Sequence, residues 1–397
     1  MSTSDLDQVV PSRIPPAGPH HQPRELTAAQ REVFRQTSTR SRLARARALV
    51  GEGPAPVHDI NTPTLRPDDL MPQLADNQLR ALSLFSGGGG LDIGFAQAGY
   101  THAASYEILT DAAATLVKAR PDWEVHGGPE GDVTTVDWRR WRGEVDVVHG
   151  GPPCQPFSNA GRQGGETDSR DMWPALVKCL NTVRPRAFIA ENVPALASAK
   201  FTKYVRTQIV EPLSPRYKIT MLTLRAQDVG VPQARKRVVF VGFARAADAR
   251  RFVEPTATHL WGDQETAEAA GLRRCMGLRE ALGLPNIGFD ALSPTIRSSL
   301  TGPRHTTSIL NSVAAQRTFA RLQVWPNGVA QSRERARAFV PDNKHFRLSV
   351  PDVAVLQGFP EDWPLVGATY MQLGQLGNAV PPPLAYTVAS SVAAALA

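Results

Sequence analysis

Residues 81–100 read ALSLFSGGGGLDIGFAQAGY. "ALSLF" is an apolar run of strand length, Gly87 to Gly90 make a turn, and "LDIGFAQAGY" has helical character. A turn built from glycine has no Cβ in the way, so the main chain can come close to a ligand. Strand, glycine turn and helix open a doubly wound sheet, in which ligands sit at the carboxyl ends of the strands.

The same rhythm continues outward. "HAASYEI" reads as a second strand, and "TDAAATLVKARP" as a helix with Thr110 or Asp111 near its start and Pro121 past its end. "VDVVHGG" is a buried strand. "RDMWPALVKCLNTVRP" places Trp173, Leu176, Val177 and Leu180 on one helical face. "AFIAENV" and "RVVFVGF" are further strands. Alternating strands and helices predict an α/β fold, doubly wound, with a mostly parallel sheet.

From about Ala244 to Phe346 the rhythm fails, and Gly, Pro and Arg break short apolar pieces. This predicts a second, smaller and irregular domain at 244–346, after a first domain at 80–243 that carries the glycine turn. Residues 347–397 return to the first domain, ending in a helix that buries Leu384, Val388, Val392 and Leu396. Residues 1–79 form a Pro- and Arg-rich extension, partly helical or disordered. Its polar composition offers little to bury, so residues 1–75 are expected to be dispensable for catalysis. A helix or helix pair is expected in "ELTAAQREVFRQTSTRSRLARARALVGEG", where Arg40, Arg42, Arg45 and Arg47 crowd the end.

Composition narrows the class. The 397 residues are 42% hydrophobic and 20% charged, as in a globular protein with a real core. No apolar run approaches the ~20 residues that span a bilayer, and no apolar signal core stands at the N-terminus. Cys154, Cys179 and Cys275 are odd in number and widely spaced, against a disulfide framework or a cysteine-based zinc site. A reducing, cytoplasmic location follows as an expectation. Net charge is +7, and Arg250 to Arg347 hold 14 Lys/Arg against 8 Asp/Glu. That segment is either a solvated surface or the face of a polyanion-binding domain.

Two constellations carry chemistry. The glycine turn lacks the Gly-Lys-Ser/Thr of a phosphate-binding loop. Glu107 ends the next strand, and Asp132 follows a third, where it would meet an adenine amino group. Together they mark a ribose-bearing cofactor, NAD or S-adenosylmethionine. The second constellation is "GGPPCQPFS", in which Pro152, Pro153 and Pro156 stiffen the loop around Cys154. Cys179, inside a helix, reads as a structural thiol. Glu191 ends the fifth strand on the same sheet edge as Cys154. A thiol beside a carboxylic acid suits attack on an electron-poor ring that is protonated as it is attacked, and cytosine fits. Arg235 and Arg237 are the candidate cations that would favour the thiolate.

These residues resemble the DNA (cytosine-5) methyltransferases, with motifs in that family's order from about Leu82 to the C-terminus. "LFSGGGGLDIGF", "YEI" and "GDVTTVDW" resemble its cofactor motifs, and "GGPPCQPFS" its catalytic-cysteine motif. "DSRDMW", "ENV" and "QDVGVPQARKRVVFVG" follow, then "RLSVPDVAVLQGFPEDW" and "GNAVPPPLA". The resemblance implies that Cys154 attacks C6 of a flipped cytosine, Glu191 holds N3 and the amino group, Arg235 supports the ring oxygen and Arg237 braces the site. It implies S-adenosylmethionine as cofactor, S-adenosylhomocysteine as product, and no metal. Phe85, Ser86, Gly87 and Gly89 would shape the methionine and ribose end. Glu107 would take the ribose, Ile108 would pack on adenine, Asp132 would hold the adenine amino group, and Val133 would also line the cofactor site. Pro152, Asn378 and Val380 would complete that site. Gln155, Ser158, Arg162, Gln233, Arg297 and Arg304 would touch DNA, and Ser158 to Arg170 would form a mobile lid. The irregular domain then becomes the target-recognition domain.

The implied partner is double-stranded DNA, met by a monomer with no membrane. A restriction endonuclease cognate to the same site would act without forming a stable complex. Two alternatives stand beside this reading. A tRNA cytosine-5 methyltransferase shares the cysteine motif, but the Cys-Phe-Thr tripeptide of that branch is absent. A catalytically silent DNA-binding homologue would lose the thiol or the acid, and Cys154 and Glu191 are both present.

Overall fold

The computed structural model describes residues 59–153, 157, 171–298, 306–338 and 344–397, with isolated positions between 27 and 43. The strands in chain order are β1 (Arg80–Leu84), β2 (Thr101–Glu107), β3 (Val125–Gly127), β4 (Val147–Gly150), β5 (Ala187–Asn192), β6 (Lys218–Arg225), β7 (Gln233–Ala234) and β8 (Lys236–Phe243). Seven of them form one sheet in the order β3-β2-β1-β4-β5-β8-β6. β1 to β5 pair in parallel, and β8 runs antiparallel between β5 and β6. The mostly parallel doubly wound sheet read from the sequence is therefore the fold.

β4 and β5 are buried along their whole length. Alternate residues go to opposite faces, as the two-residue period of a strand requires. Val148, Phe188 and Phe240 face a cluster with Trp173, Leu176 and Leu180, which lie on helix α3 once α1 (Gly90–Gln97) and α2 (Thr110–Ala119) are counted. Helix α3 spans Trp173–Val183 and also buries Cys179, whose thiol is pushed well up by burial. Val147, Ile189 and Val239 face the other way, against Phe95 of α1 and against Val388, Val392 and Leu396 of the last helix. That helix is α7 (Pro382–Leu396), preceded by α4 (Val313–Arg321), α5 (Val350–Gln357) and α6 (Thr369–Asn378). The stretch Thr369–Leu396 is long and apolar enough to cross a membrane, but it is mostly buried in the fold.

Strand β6 departs from the apolar pattern of the other long strands. Its sequence KITMLTLR lies at the sheet edge and is largely exposed, so it lacks the continuous apolar signal of a central strand.

Residues 244–346 are irregular, with strands of two residues such as β9 (His259–Leu260), β10 (Arg273–Arg274) and β11 (Ser293–Pro294). The longer β12 (Val324–Ala330) pairs in parallel with β13 (Phe346–Ser349). The region does not keep a core to itself. Leu278, Ile296, Phe319 and Val324 share one apolar cluster with Val353 and Leu356 of α5, Leu376 of α6, Ile93 of α1 and Leu116 of α2.

The chain before β1 corrects the expectation that it has little to bury. Leu65, Met71 and Leu79 are buried. The Thr64 and Leu65 N–H groups donate to Ala281 O at 3.0 and 3.1 Å, and Leu74 N–H donates to Gln97 O at 2.9 Å. Asn61 Nδ2 donates to Leu282 O and to Asp352 Oδ1, each at 3.0 Å. Residues 59–79 thus strap the irregular region to the first helix of the sheet. Further upstream, positions 28, 29, 31, 32, 35, 36, 39 and 43 are helical, whereas Arg40, Arg42, Arg45 and Arg47 lie outside the described residues.

Candidate active site

Sheet register brings the chemistry to one edge. Leu84 pairs with both Tyr106 and Gly150, and Gly150 pairs with Ala190. Phe85, Glu107, Gly151 and Glu191 are each one residue past that row. The antiparallel β8 enters from the same edge. Its Val238 pairs with Asn192, so Arg237 stands level with the end of β5.

Around the glycine turn the backbone is strained and then held. Phe85 has φ of 55°, an uncommon angle for a residue with a side chain, and such strain persists only where the surroundings fix it. Glu107 provides part of that fixing. Its carboxylate accepts from Gly87 N–H and Leu109 N–H, both at 2.7 Å. The side chain is buried, and burial raises its pKa against the opposing pull of those N–H groups. Each oxygen retains a further lone pair for a hydroxyl donor. Ile108 beside it is 54% exposed, an apolar surface at the mouth of the edge. Asp132 is half-buried and closes a turn by accepting from Thr134 N–H at 2.9 Å and Thr134 Oγ1 at 2.7 Å. Val133 and Ser86 are buried, and Ser86 Oγ lies 2.8 Å from Ser83 Oγ. Val380 packs with Leu91 at the start of α1, while Asn378 is exposed at the end of α6. Carboxylate, exposed apolar side chain and open glycine backbone fit an adenosine-bearing cofactor.

On the other half of the edge stands a buried acid. Arg237 Nε lies 2.6 Å from Glu191 Oε1, with both side chains about nine-tenths buried. Burial raises the Glu191 pKa and outweighs the lowering by Arg237 and Arg235. The raised pKa keeps a larger share of the acid protonated than free glutamic acid would have. Gly151, on the neighbouring strand, approaches so closely that a Cβ there would lie 2.9 Å from Glu191 Oε2. Asn192 Nδ2 donates to Pro152 O at 3.1 Å and so fixes where the next loop starts. That loop carries Cys154. Cys154, Gln155, Ser158, Arg162 and Arg304 lie outside the described residues, as does the whole of the expected lid, Ser158 to Arg170. Phe157, beyond Cys154 in the same loop, is buried against Phe201 and Tyr204, with ring centroids 5.3 and 4.8 Å apart.

The two arginines and Gln233 stand in different surroundings. Arg235 is bound into the fold. Its buried guanidinium donates to Ile296 O at 3.2 Å and to Gly377 O and Ala379 O, each at 2.8 Å. Arg237 is the cation at the acid. Gln233, expected at the DNA, is fully buried, and its amide is engaged on both sides. Its Nε2 donates to Leu356 O at 2.9 Å and Gln357 Oε1 at 2.8 Å, and its Oε1 accepts from Ile296 N–H at 3.1 Å. Arg297 is half-buried, with its N–H bonded to Ile309 O at 3.1 Å. Asn192, which anchors Pro152, has one signal in the sequence, its place directly after Glu191 in "ENV".

Sheet order, glycine turn and edge carboxylates define a Rossmann-like fold of the S-adenosylmethionine-dependent methyltransferase kind. A family model of C-5 cytosine-specific DNA methylases matches residues 79–283 and 285–394. The chain belongs to that family and is a DNA (cytosine-5) methyltransferase. The Type II methyltransferase M.NgoMIV of Neisseria gonorrhoeae is 33% identical over 322 residues, 80% of this chain and 98% of that protein. M.AplI of Arthrospira platensis, also a Type II methyltransferase, is 30% identical over 332 residues, 80% of this chain and 86% of its own. Among solved structures, the Dnmt2 methyltransferase of S. pombe shares the fold, with a TM-score of 0.52 and 16% identity over 79% of this chain and 98% of that one.

Proposed function

We propose that the protein transfers a methyl group from S-adenosylmethionine to C5 of a flipped cytosine in a specific duplex DNA sequence, through a covalent bond between Cys154 and C6. The observation that carries this reading is the buried Arg237–Glu191 pair at 2.6 Å, one strand from the loop that begins at Pro152.

S-adenosylmethionine supplies a methyl group on a sulfonium, an acceptor for the electron pair that develops at C5. The protein's part is to create that pair. The Cys154 thiolate adds to C6, and the 5,6 π electrons move toward C5. Glu191, kept partly protonated by burial, donates at N3, which makes the ring a better acceptor. Arg237 holds the carboxyl in place and limits its charge. After C5 is methylated, it loses its proton to solvent, the C6–S bond breaks with the Cys154 thiolate leaving, the 5,6 double bond returns and N3 gives its proton back to Glu191. A base inside a duplex cannot reach such a pocket, so the cytosine must leave the stack.

Residues 244–346 would read the sequence, with Arg297 and Arg304 among the groups at the DNA. The modification half of a restriction-modification system is the setting that fits the Type II relatives, in the cytoplasm and with DNA as partner. The experiment is methylation of plasmid DNA and of tRNA by the purified full chain with labelled S-adenosylmethionine, with bisulfite sequencing to locate the product. Label in DNA at one repeated sequence supports the proposal, and label in tRNA alone overturns it.

A further inference from the structure

The glycine turn is gripped from two sides. Glu107 takes the Gly87 N–H. On the opposite side the indole Nε1–H of Trp363 donates to Gly88 O at 2.9 Å. Trp363 is buried and comes from the segment after the irregular region, far from the turn in sequence. Its ring also lines the turn. Gly89 has φ of 91°, and a Cβ there would lie 3.1 Å from the Trp363 ring and 2.8 Å from Leu116. The Arg120 guanidinium lies over the ring, 5.3 Å from its centroid.

The wall beside Trp363 is rigid. A Cβ on Gly88 would lie 3.0 Å from Gln375 Cβ. Gln375 Oε1 accepts from Thr115 Oγ1 at 2.7 Å, and its Nε2 donates to Val366 O at 2.9 Å. Val366 N–H donates back to Thr115 Oγ1 at 2.9 Å. Between the two grips lies the Gly87–Gly88 peptide. Among the described residues, nothing accepts from Gly88 N–H and nothing donates to Gly87 O. These are a free donor and a free acceptor on a fixed backbone.

We propose that Trp363 is a positioning residue of the cofactor site: its N–H fixes the Gly88 carbonyl and so presents the Gly87–Gly88 peptide to the cofactor. The proposal rests on the reading of this edge as the S-adenosylmethionine site. It also means that a residue outside the catalytic strands sets cofactor affinity.

The test is Trp363→Phe in the full chain, which keeps an aromatic ring and removes the N–H. Calorimetry gives the Kd for S-adenosylmethionine, steady-state kinetics give KM for cofactor and DNA, and thermal unfolding controls for the fold. Loss of one buried hydrogen bond is worth roughly tenfold in affinity. The expected result is a cofactor Kd and KM raised about tenfold, with kcat at saturating cofactor and KM for DNA unchanged. Trp363→His, which returns a ring N–H, should recover part of the loss. If wild type binds the cofactor and Trp363→Phe binds it equally well, the positioning role is wrong while the site stands. Equal losses in both variants, tracking Tm and affecting DNA and cofactor alike, would make Trp363 a packing element and also overturn the proposal. If wild type does not bind S-adenosylmethionine, the reading of the edge fails and the proposal falls with it.

Discussion

Arg237 and Glu191 meet at 2.6 Å where β8 and β5 lie side by side, each side chain about nine-tenths buried. Removing one partner of such a pair leaves a buried charge and costs about 3–5 kcal/mol, whereas removing both charges costs less. Arg237→Met should therefore lower Tm strongly and abolish turnover. Glu191→Gln leaves the buried Arg237 guanidinium unpaired, so it should also lower Tm, and it should reduce turnover at least ~100-fold, within the usual range for losing acid–base catalysis. Combining the two should recover stability without activity. Thermal unfolding and methyl-transfer rates on all three proteins check this, and additive stability losses would mean that the pair is not coupled.

Gln233 gives a prediction of the opposite kind. A side chain buried between Leu356, Gln357 and Ile296 holds the fold together and cannot neutralise a phosphate. Gln233→Ala should destabilise by about 1–3 kcal/mol, the cost of leaving buried polar partners unpaired. The salt dependence of DNA binding should not change. A direct DNA contact would instead weaken binding while leaving Tm where it was.

Two truncations separate the strap from the arm. Deleting residues 1–58 removes none of Leu65, Met71 and Leu79, so folding and turnover should survive. Deleting 1–79 removes all three, each a buried apolar side chain worth about 1.5–3 kcal/mol. That protein should unfold at much lower temperature or fail to accumulate. Equal Tm for the two truncations would show that the strap adds nothing to the fold.

His149 predicts an acid limit to stability. It is buried, stacks on Phe95 with centroids 4.0 Å apart, and faces Asp92 and His102. Burial is the main cause that pulls its pKa down to about 4; Asp92 opposes the shift and His102 adds to it. The fold thus favours neutral imidazole, while the unfolded chain takes up a proton near pH 6.5. The stabilisation is complete above about 6.5 and is lost as pH falls toward about 4. Each pKa unit corresponds to about 1.4 kcal/mol, so the loss is of order 1–3 kcal/mol. His149→Leu should flatten the fall in Tm between pH 7 and 5. An unchanged fall would assign the acid limit to other groups.

Much of this was legible in the sequence because local pattern and tertiary role agree there. "ALSLF", "VDVVHGG" and "AFIAENV" are mainly apolar, as strands buried on both faces are. Glu107 and Glu191 stand at the carboxyl ends of their strands, which is where a doubly wound sheet meets its ligands. Pattern failed where the partner is distant. β6 is a polar edge strand. Arg235 and Arg237 are alike in sequence, and only the β5–β8 register puts one at Glu191 and the other at Gly377 and Ala379. Nothing local to Trp363 points to its partner Gly88, which is 275 residues away.

The most direct test of the account is covalent capture. Duplex DNA bearing 5-fluorocytosine at the mapped target should, with S-adenosylmethionine present, leave a denaturation-resistant protein–DNA adduct, because fluorine at C5 cannot leave as a proton does. The account predicts that wild type gives the adduct, that the attached peptide contains Cys154, and that Cys154→Ser gives none while still binding DNA and cofactor. A full-strength adduct from the Cys154→Ser protein would contradict it.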